Sequence, residues 1–126
     1  MTIKILVVDL YPVRSLLAEL LAERGNGVKN VGTSWLARQE IAFWRPHLLI
    51  TNYELTPGGF EGLNLIRFLR QDSRAPAILM LKGEDDFSVA IKSGIADYLL
   101  FKPFRADEMW GIVDSAISRA EWEKVF

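Results

Sequence analysis

The sequence predicts an α/β protein in which helices cover both faces of a five-stranded parallel sheet. Short apolar runs bounded by turn residues alternate five times with longer stretches of helical period. The first run, residues 3–9, is almost continuously apolar and rich in β-branched residues, which is typical of a strand buried on both faces. The length suits one domain, which we place over residues 1–126.

The next elements are a helix, a strand and a second helix. Leucines at spacings of three and four indicate an amphipathic helix that begins near Pro12 and ends at Gly25. Residues 28–32 form the second predicted strand. Ser34 is the expected cap of a helix over residues 35–44, because its hydroxyl can accept a hydrogen bond from the first turn.

The middle of the chain continues the same alternation. Residues 47–52 form the third predicted strand and run into a glycine-rich loop, after which a helix is expected over residues 61–71. Pro76 introduces a fourth strand over residues 77–82, and a short helix is predicted over residues 87–93, before a glycine.

The last strand and the last helix complete the sheet and its cover. Residues 97–102 form the fifth predicted strand, and Asp107 and Glu108 lie where a helix favours negative charge, near its start. One face of this helix is apolar and is formed by Met109, Ile112, Val113, Ala116, Ile117 and Ala120.

Composition excludes several classes of function. The formal net charge is −1, from 15 basic and 16 acidic residues, so general electrostatic binding to nucleic acid or to an anionic membrane is not expected. The chain has no cysteine, and His47, its one histidine, is expected to be a solvated residue at a strand start, so zinc sites and catalytic triads are disfavoured. The N-terminal apolar run is too short to span a membrane, and we expect a soluble, cytoplasmic chain.

The carboxyl ends of the predicted strands mark the expected functional site. In doubly wound sheets the useful crevice lies beyond these ends, where the strand order reverses. We therefore expect four residues to approach one another there, namely Asp9, Asn52, Leu81 and Lys102.

Several motifs together resemble the receiver domains of two-component response regulators, over essentially the whole chain. They are "ILVVD" followed by "PVR", "LLITNYEL" with its glycine loop, the proline before the fourth strand, "SGIADYLL" and "KPF". The resemblance implies a flavodoxin-like sheet in the order 2-1-3-4-5 and a role in phosphorelay signalling. It also implies a site with two acids that hold Mg²⁺, an aspartate that accepts a phosphoryl group, a hydroxyl and a lysine.

This sequence departs from that pattern at three of the five positions. Asp9 matches the first acid, but Leu10 stands where the second belongs, and Asn52 stands where the phosphoryl acceptor belongs. Leu81 replaces the hydroxyl and cannot hydrogen-bond a phosphoryl oxygen. Lys102 matches, although an extra residue before it leaves open which way it faces. No catalytic residue and no cofactor are therefore expected, with Mg²⁺ bound weakly by Asp9 or not at all.

The resemblance also predicts a cis peptide bond and a partner surface. In this family the Lys-Pro bond before Pro103 is usually cis. Tyr98, Trp110 and Ile117 are predicted to contribute to a protein contact surface, whose alternative role is internal packing. Most of the four tryptophans are expected simply to cap the core.

Two functions from different classes follow from these observations. The first is an atypical receiver, not an enzyme, that binds a signalling protein such as a histidine kinase or an output domain, or a second copy, without phosphorylation. The alternative is an active phosphoryl-accepting receiver that uses a displaced acid such as Glu54. A nucleotide binder is a weaker third reading, because no glycine fingerprint follows the first strand.

Overall fold

The computed structural model describes residues 2–123, without the side chains of residues 84–86. Strands and helices alternate strictly through the chain. The strands are β1 (Lys4–Val8), β2 (Gly27–Val31), β3 (Leu48–Asn52), β4 (Ala77–Leu81) and β5 (Tyr98–Phe101). The helices are α1 (Val13–Ala22), α2 (Ser34–Phe43), α3 (Glu61–Arg70), α4 (Glu84–Ser93) and α5 (Ala106–Trp122).

The five strands form one parallel sheet in the order β2-β1-β3-β4-β5, as predicted. Alternate residues of each strand enter two separate apolar clusters. One cluster joins the sheet to α2 and α3 and contains Leu49 and Leu79, whereas the other joins it to α1 and α5 and contains Ile50 and Ile78. Burial on both faces explains why the strand sequences are almost continuously apolar.

Two helix starts differ from the sequence prediction. Thr33, and not Ser34, caps α2, because Thr33 has extended backbone angles and its hydroxyl oxygen accepts the Leu36 N–H at 3.2 Å. Helix α4 begins three residues earlier than predicted, directly after Gly83. Gly83 has a φ of +86°, a conformation that glycine adopts without strain, and so the chain can turn straight from β4 into the helix.

His47 is not the solvated residue that the sequence suggested. It is half-buried at the start of β3, and its Nδ1 accepts the backbone N–H of Lys4 at 2.9 Å. Burial, followed by the nearby charge of Lys4, lowers the pKa of His47 below its ordinary value of 6.5.

The tryptophans divide into two groups, which corrects the expectation that most cap the core. Trp44 and Trp110 pack against the two apolar clusters. Trp35 and Trp122 are largely exposed. None of the helices among the described residues has the length and apolar character that would let it span a membrane.

Candidate functional site

The carboxyl edge of the sheet contains a cavity of about 230 Å³ between the ends of β1, β3, β4 and β5. Asp9, Leu10, Asn52 and Lys102 line it, so the structure brings together four of the five residues predicted for the site. Leu81 does not line it. The Leu81 side chain is fully buried in the cluster that faces α2 and α3.

Lys82 takes the place at the cavity that the sequence analysis assigned to Leu81. All five residues of β4 are buried, and Lys82 is the first exposed residue after them. Leu81 is the last residue of β4 and its side chain points into the core, so the next residue along the chain is the one that reaches the cavity. The signal that could have identified Lys82 is a charged residue directly after the unbroken apolar run of residues 77–81.

Asp9 is buried and both of its carboxylate oxygens have partners. Oδ1 accepts the backbone N–H of Leu10 at 2.7 Å, and Oδ2 accepts a hydrogen bond from Lys102 Nζ at 2.5 Å. The Lys102 side chain is itself mostly buried. The two residues therefore form a shielded, hydrogen-bonded ion pair across the end of the sheet.

Lys102 reaches the cavity even though an extra residue precedes it. Pairing between β4 and β5 continues without interruption as far as Leu81 and Phe101, and the Lys102 N–H donates to the Leu81 carbonyl at 2.7 Å. Phe101 points out of the sheet toward Phe87 of α4, with ring centroids 5.3 Å apart. The Lys102–Pro103 peptide bond is cis, as predicted, and the bond before Pro12 is cis as well.

Asn52 is buried at the end of β3 and turns its amide toward the following loop. Its Nδ2 donates to the Glu54 carbonyl oxygen at 2.7 Å, and among the described residues its Oδ1 has no hydrogen-bond donor. Gly62 of α3 packs against this strand end. A Cβ on Gly62 would collide with the Asn52 carbonyl oxygen and lie 2.9 Å from Tyr53 Cα, so only glycine permits this approach.

The loop between β3 and α3 is held by Glu61, a residue that the sequence analysis did not single out. The Glu61 carboxylate accepts the Leu55 N–H at 3.0 Å and the Thr56 hydroxyl. Burial raises the pKa of Glu61, but the hydrogen bonds from Thr56 and the backbone outweigh burial and lower the pKa below its ordinary value of 4.5. Glu54, on the same loop, is half-buried and lines the cavity.

The three residues predicted to form one contact surface lie on two sides of α5. Trp110 and Ile117 are about 20° apart around the helix, whereas Ser115 is about 140° from Trp110. The Tyr98 hydroxyl donates to the Ser115 carbonyl at 3.3 Å, which places Tyr98 on the opposite flank. The Arg24 guanidinium stacks 3.6 Å from the centre of the Trp110 ring, so that ring is covered from within the chain.

Comparisons with known proteins agree on one family. The chain is 30% identical over 123 residues to the DNA-binding response regulator MtrA of Mycolicibacterium smegmatis, a match that covers 95% of this chain and 53% of MtrA. It is 29% identical over 117 residues to the nitrogen assimilation regulatory protein NtrX of Azorhizobium caulinodans, a match that covers 90% of this chain and 26% of NtrX. No protein-family model matches.

A structural comparison gives the same fold. Chemotaxis protein CheY4 of Vibrio cholerae superposes with a TM-score of 0.78, covering 92% of this chain and 99% of that one at 17% identity. The fold and the crevice at the carboxyl edge thus define a flavodoxin-like, doubly wound α/β protein. The chain belongs to the response-regulator receiver domains, which are modules of two-component signal transduction. It spans about half the length of MtrA and about a quarter of NtrX.

Proposed function

We propose that this receiver domain works without phosphorylation at the end of β3 and acts by binding a protein partner through its intact fold. The observation that carries the proposal is that the acid, the lysine and the amide nitrogen at the cavity already have hydrogen-bond partners within the chain. Lys102 neutralises Asp9 at 2.5 Å, and the Asn52 amide is hydrogen-bonded to the loop at 2.7 Å. These contacts need no ligand.

The chemistry of residue 52 supports this proposal. The lone pair of an amide nitrogen is delocalised into the carbonyl group, so a carboxamide does not form the acyl phosphate that a carboxylate forms. The direction of the Asn52 side chain adds to this argument. Its Nδ2 donates to a carbonyl, and a carboxylate at the same place could not donate in this way.

The residues at the cavity are a poor fit for Mg²⁺. This ion favours an octahedron of oxygen ligands that includes one or two carboxylates. Both Asp9 oxygens are already hydrogen-bonded, Leu10 offers no side-chain ligand, and the Lys102 ammonium repels a cation at this position. Among the described residues, no group of three or more His, Cys, Asp or Glu side chains is arranged to hold a metal ion. We therefore propose that the domain uses no metal cofactor.

The proposed partner is a signalling protein, either a histidine kinase or an output domain. MtrA is named a DNA-binding response regulator, and the chain matches about half of it. The formal net charge of −1 argues that the receiver itself does not contact nucleic acid. DNA binding, in a longer protein of this kind, would belong to another domain.

A second candidate function rests on the position of Glu54. This carboxylate lines the same cavity as Lys82 and Lys102, whose charges would stabilise a phosphoryl group. In this alternative a Glu54 oxygen attacks the phosphorus of a donor and an acyl phosphate forms. The donor's leaving group departs with the electrons of the broken bond, which is P–N in a phosphohistidine and P–O in acetyl phosphate.

Intact-mass measurement separates the two functions. The wild-type chain, incubated with Mg²⁺ and acetyl phosphate, is expected to gain no phosphoryl group. The matched control is Glu54→Gln. A base-labile adduct on the wild type that is lost in Glu54→Gln refutes the first proposal and supports the second.

A companion variant tests the reason for inactivity. Asn52→Asp with Leu10→Asp restores the carboxylates that the family uses, and we expect only partial phosphorylation, because no hydroxyl side chain follows β4 at the cavity. Efficient phosphorylation of this double variant would show that residues 10 and 52 alone account for the inactivity.

A further inference from the structure

The outward side of α2 is apolar, which is unusual for a helix that packs on a sheet and faces solvent. Its inward residues, Ala37 and Ile41, are buried in the core. The outward side, which we call the α2 face, spans an arc of about 120° at 100° per residue. It consists of Trp35, Leu36, Gln39, Ala42 and Phe43.

The two aromatic side chains of the α2 face are also highly exposed to solvent, which is unfavourable for large apolar groups. Trp35 is 69% exposed and Phe43 is 85% exposed, with Leu36 between them in part exposed as well. The largest contiguous apolar patch on a protein surface is often a functional one, and larger patches mark interaction sites. This face is separate from the cavity, to which no α2 residue contributes.

The charged residues beside the α2 face have partners within the chain. Glu40 pairs with Lys29 at 2.9 Å, and the Arg38 guanidinium lies 5.1 Å from the centre of the Phe68 ring. The face itself therefore offers no charge that would select a charged partner. Its one polar side chain is Gln39, which carries both hydrogen-bond donors and an acceptor.

We propose that the α2 face binds the α2 face of a second copy of this chain. In an isologous dimer each residue meets its counterpart symmetrically about a two-fold axis. An antiparallel crossing of the two helices at Gln39 sets the two Gln39 amides against each other, and these can donate to and accept from one another. Trp35 and Phe43 lie four residues before and after Gln39, so Trp35 of each copy is opposite Phe43 of the other. The five residues of the face carry no charge, and the flanking Arg38 guanidinium is turned toward the Phe68 ring.

The available area is consistent with a weak dimer. An aromatic side chain carries about 150–250 Å² of surface, so the exposed parts of Trp35 and Phe43 provide about 300 Å² in each copy. Two copies bury about 600 Å² from these rings, and the other three residues bring the total toward about 1,000 Å², near the lower limit for specific interfaces. An interface of this size belongs to the weak, transient class.

Sedimentation equilibrium of the full chain over a wide range of concentration tests the dimer. Phe43→Glu should raise the dissociation constant by more than about 30-fold, because it places two charges in the contact. The matched control is Trp122→Glu, since Trp122 is also 85% exposed but lies on α5. It should dimerise as the wild type does. Far-UV circular dichroism establishes that both variants fold.

A cysteine probe tests the geometry independently, because the chain contains no cysteine of its own. Gln39→Cys should oxidise rapidly to a covalent dimer, whereas Glu19→Cys, exposed on α1, should not. A wild-type chain that stays monomeric at high concentration overturns the proposal and leaves the face to a different protein. Equal dimerisation by Phe43→Glu, or equal cross-linking by the two cysteine variants, overturns it as well.

Discussion

Replacement of Lys102 by methionine is expected to be the most destabilising single change at the carboxyl edge of the sheet. The variant keeps most of the apolar stem but leaves Asp9, whose side chain is 3% exposed, with one hydrogen bond and no countercharge. Unit charges 2.5 Å apart attract by about 6–7 kcal/mol at an effective dielectric constant of about 20. Desolvation of both groups offsets part of this attraction, and we expect a net loss of about 3–5 kcal/mol in the free energy of unfolding.

Replacement of Asp9, the other member of the pair, should lower the free energy of unfolding by less than replacement of Lys102. The difference between the two variants is what tests the reasoning. In Asp9→Asn the Lys102 ammonium, on a side chain that is 19% exposed, can turn toward solvent through the neighbouring cavity. We expect a loss of about 1–2 kcal/mol. The double variant buries no unpaired charge, so it should be more stable than Lys102→Met alone.

Urea unfolding followed by tryptophan fluorescence measures these free energies, because Trp44 and Trp110 pack against the two core clusters. Lys92→Met, at an exposed lysine of α4, is the matched control and should change stability by less than about 0.5 kcal/mol. A loss below about 1 kcal/mol for Lys102→Met would refute the reasoning. Strictly additive losses in the double variant would refute it too, since they would mean that the two charges do not interact.

Three further outcomes follow from single contacts. Asn52→Asp should lower the free energy of unfolding by about 1–3 kcal/mol in urea titrations, because a carboxylate cannot donate to the Glu54 carbonyl. Glu61→Gln should cost about 1–2 kcal/mol at pH 7. Since folding lowers the pKa of Glu61, this difference should be present above pH 4.5 and disappear as the pH falls below it. Folding also lowers the pKa of His47. Thermal stability should therefore fall as the pH drops below 6.5, because the unfolded chain binds a proton more readily than the folded chain does. His47→Gln should remove this dependence.

Each of these outcomes has a result that would contradict it. An Asn52→Asp chain as stable as the wild type would mean that the contact with the loop contributes nothing. A constant difference between wild type and Glu61→Gln from pH 7 to pH 3 would show that the charge of Glu61 is unimportant. Unchanged melting temperatures between pH 7 and pH 5, in both the wild type and His47→Gln, would exclude a linked histidine.

The fold could be predicted from the sequence because burial on both faces leaves a strong signal. Runs such as residues 5–8 and 77–81 contain only apolar residues, and parallel strands joined by helices allow few arrangements. Helix starts were less certain. At α2, two adjacent hydroxyl residues, Thr33 and Ser34, could both serve as the cap, and only the backbone angles decide between them.

The site was predictable in its residues but not in its contacts. Asp9, Asn52 and Lys102 were expected at one edge, and they lie there. Their hydrogen bonds were not foreseen, because the bond from Asn52 to the Glu54 carbonyl depends on the path of an irregular loop. Lys82 was not singled out because the expected position, Leu81, is the last buried residue of β4, and Lys82 is the first exposed residue after it.

The close approach of Gly62 to the end of β3 has a mechanical consequence. With no side chain between them, the backbone of α3 is in direct contact with the wall of the crevice, so a shift of either one presses on the other. Helix α3 in turn packs on α2 through the shared core. A rearrangement of the loop after β3 is therefore transmitted to α2 through two contacts. The first is the contact of Gly62 with the end of β3, and the second is the core that α3 shares with α2.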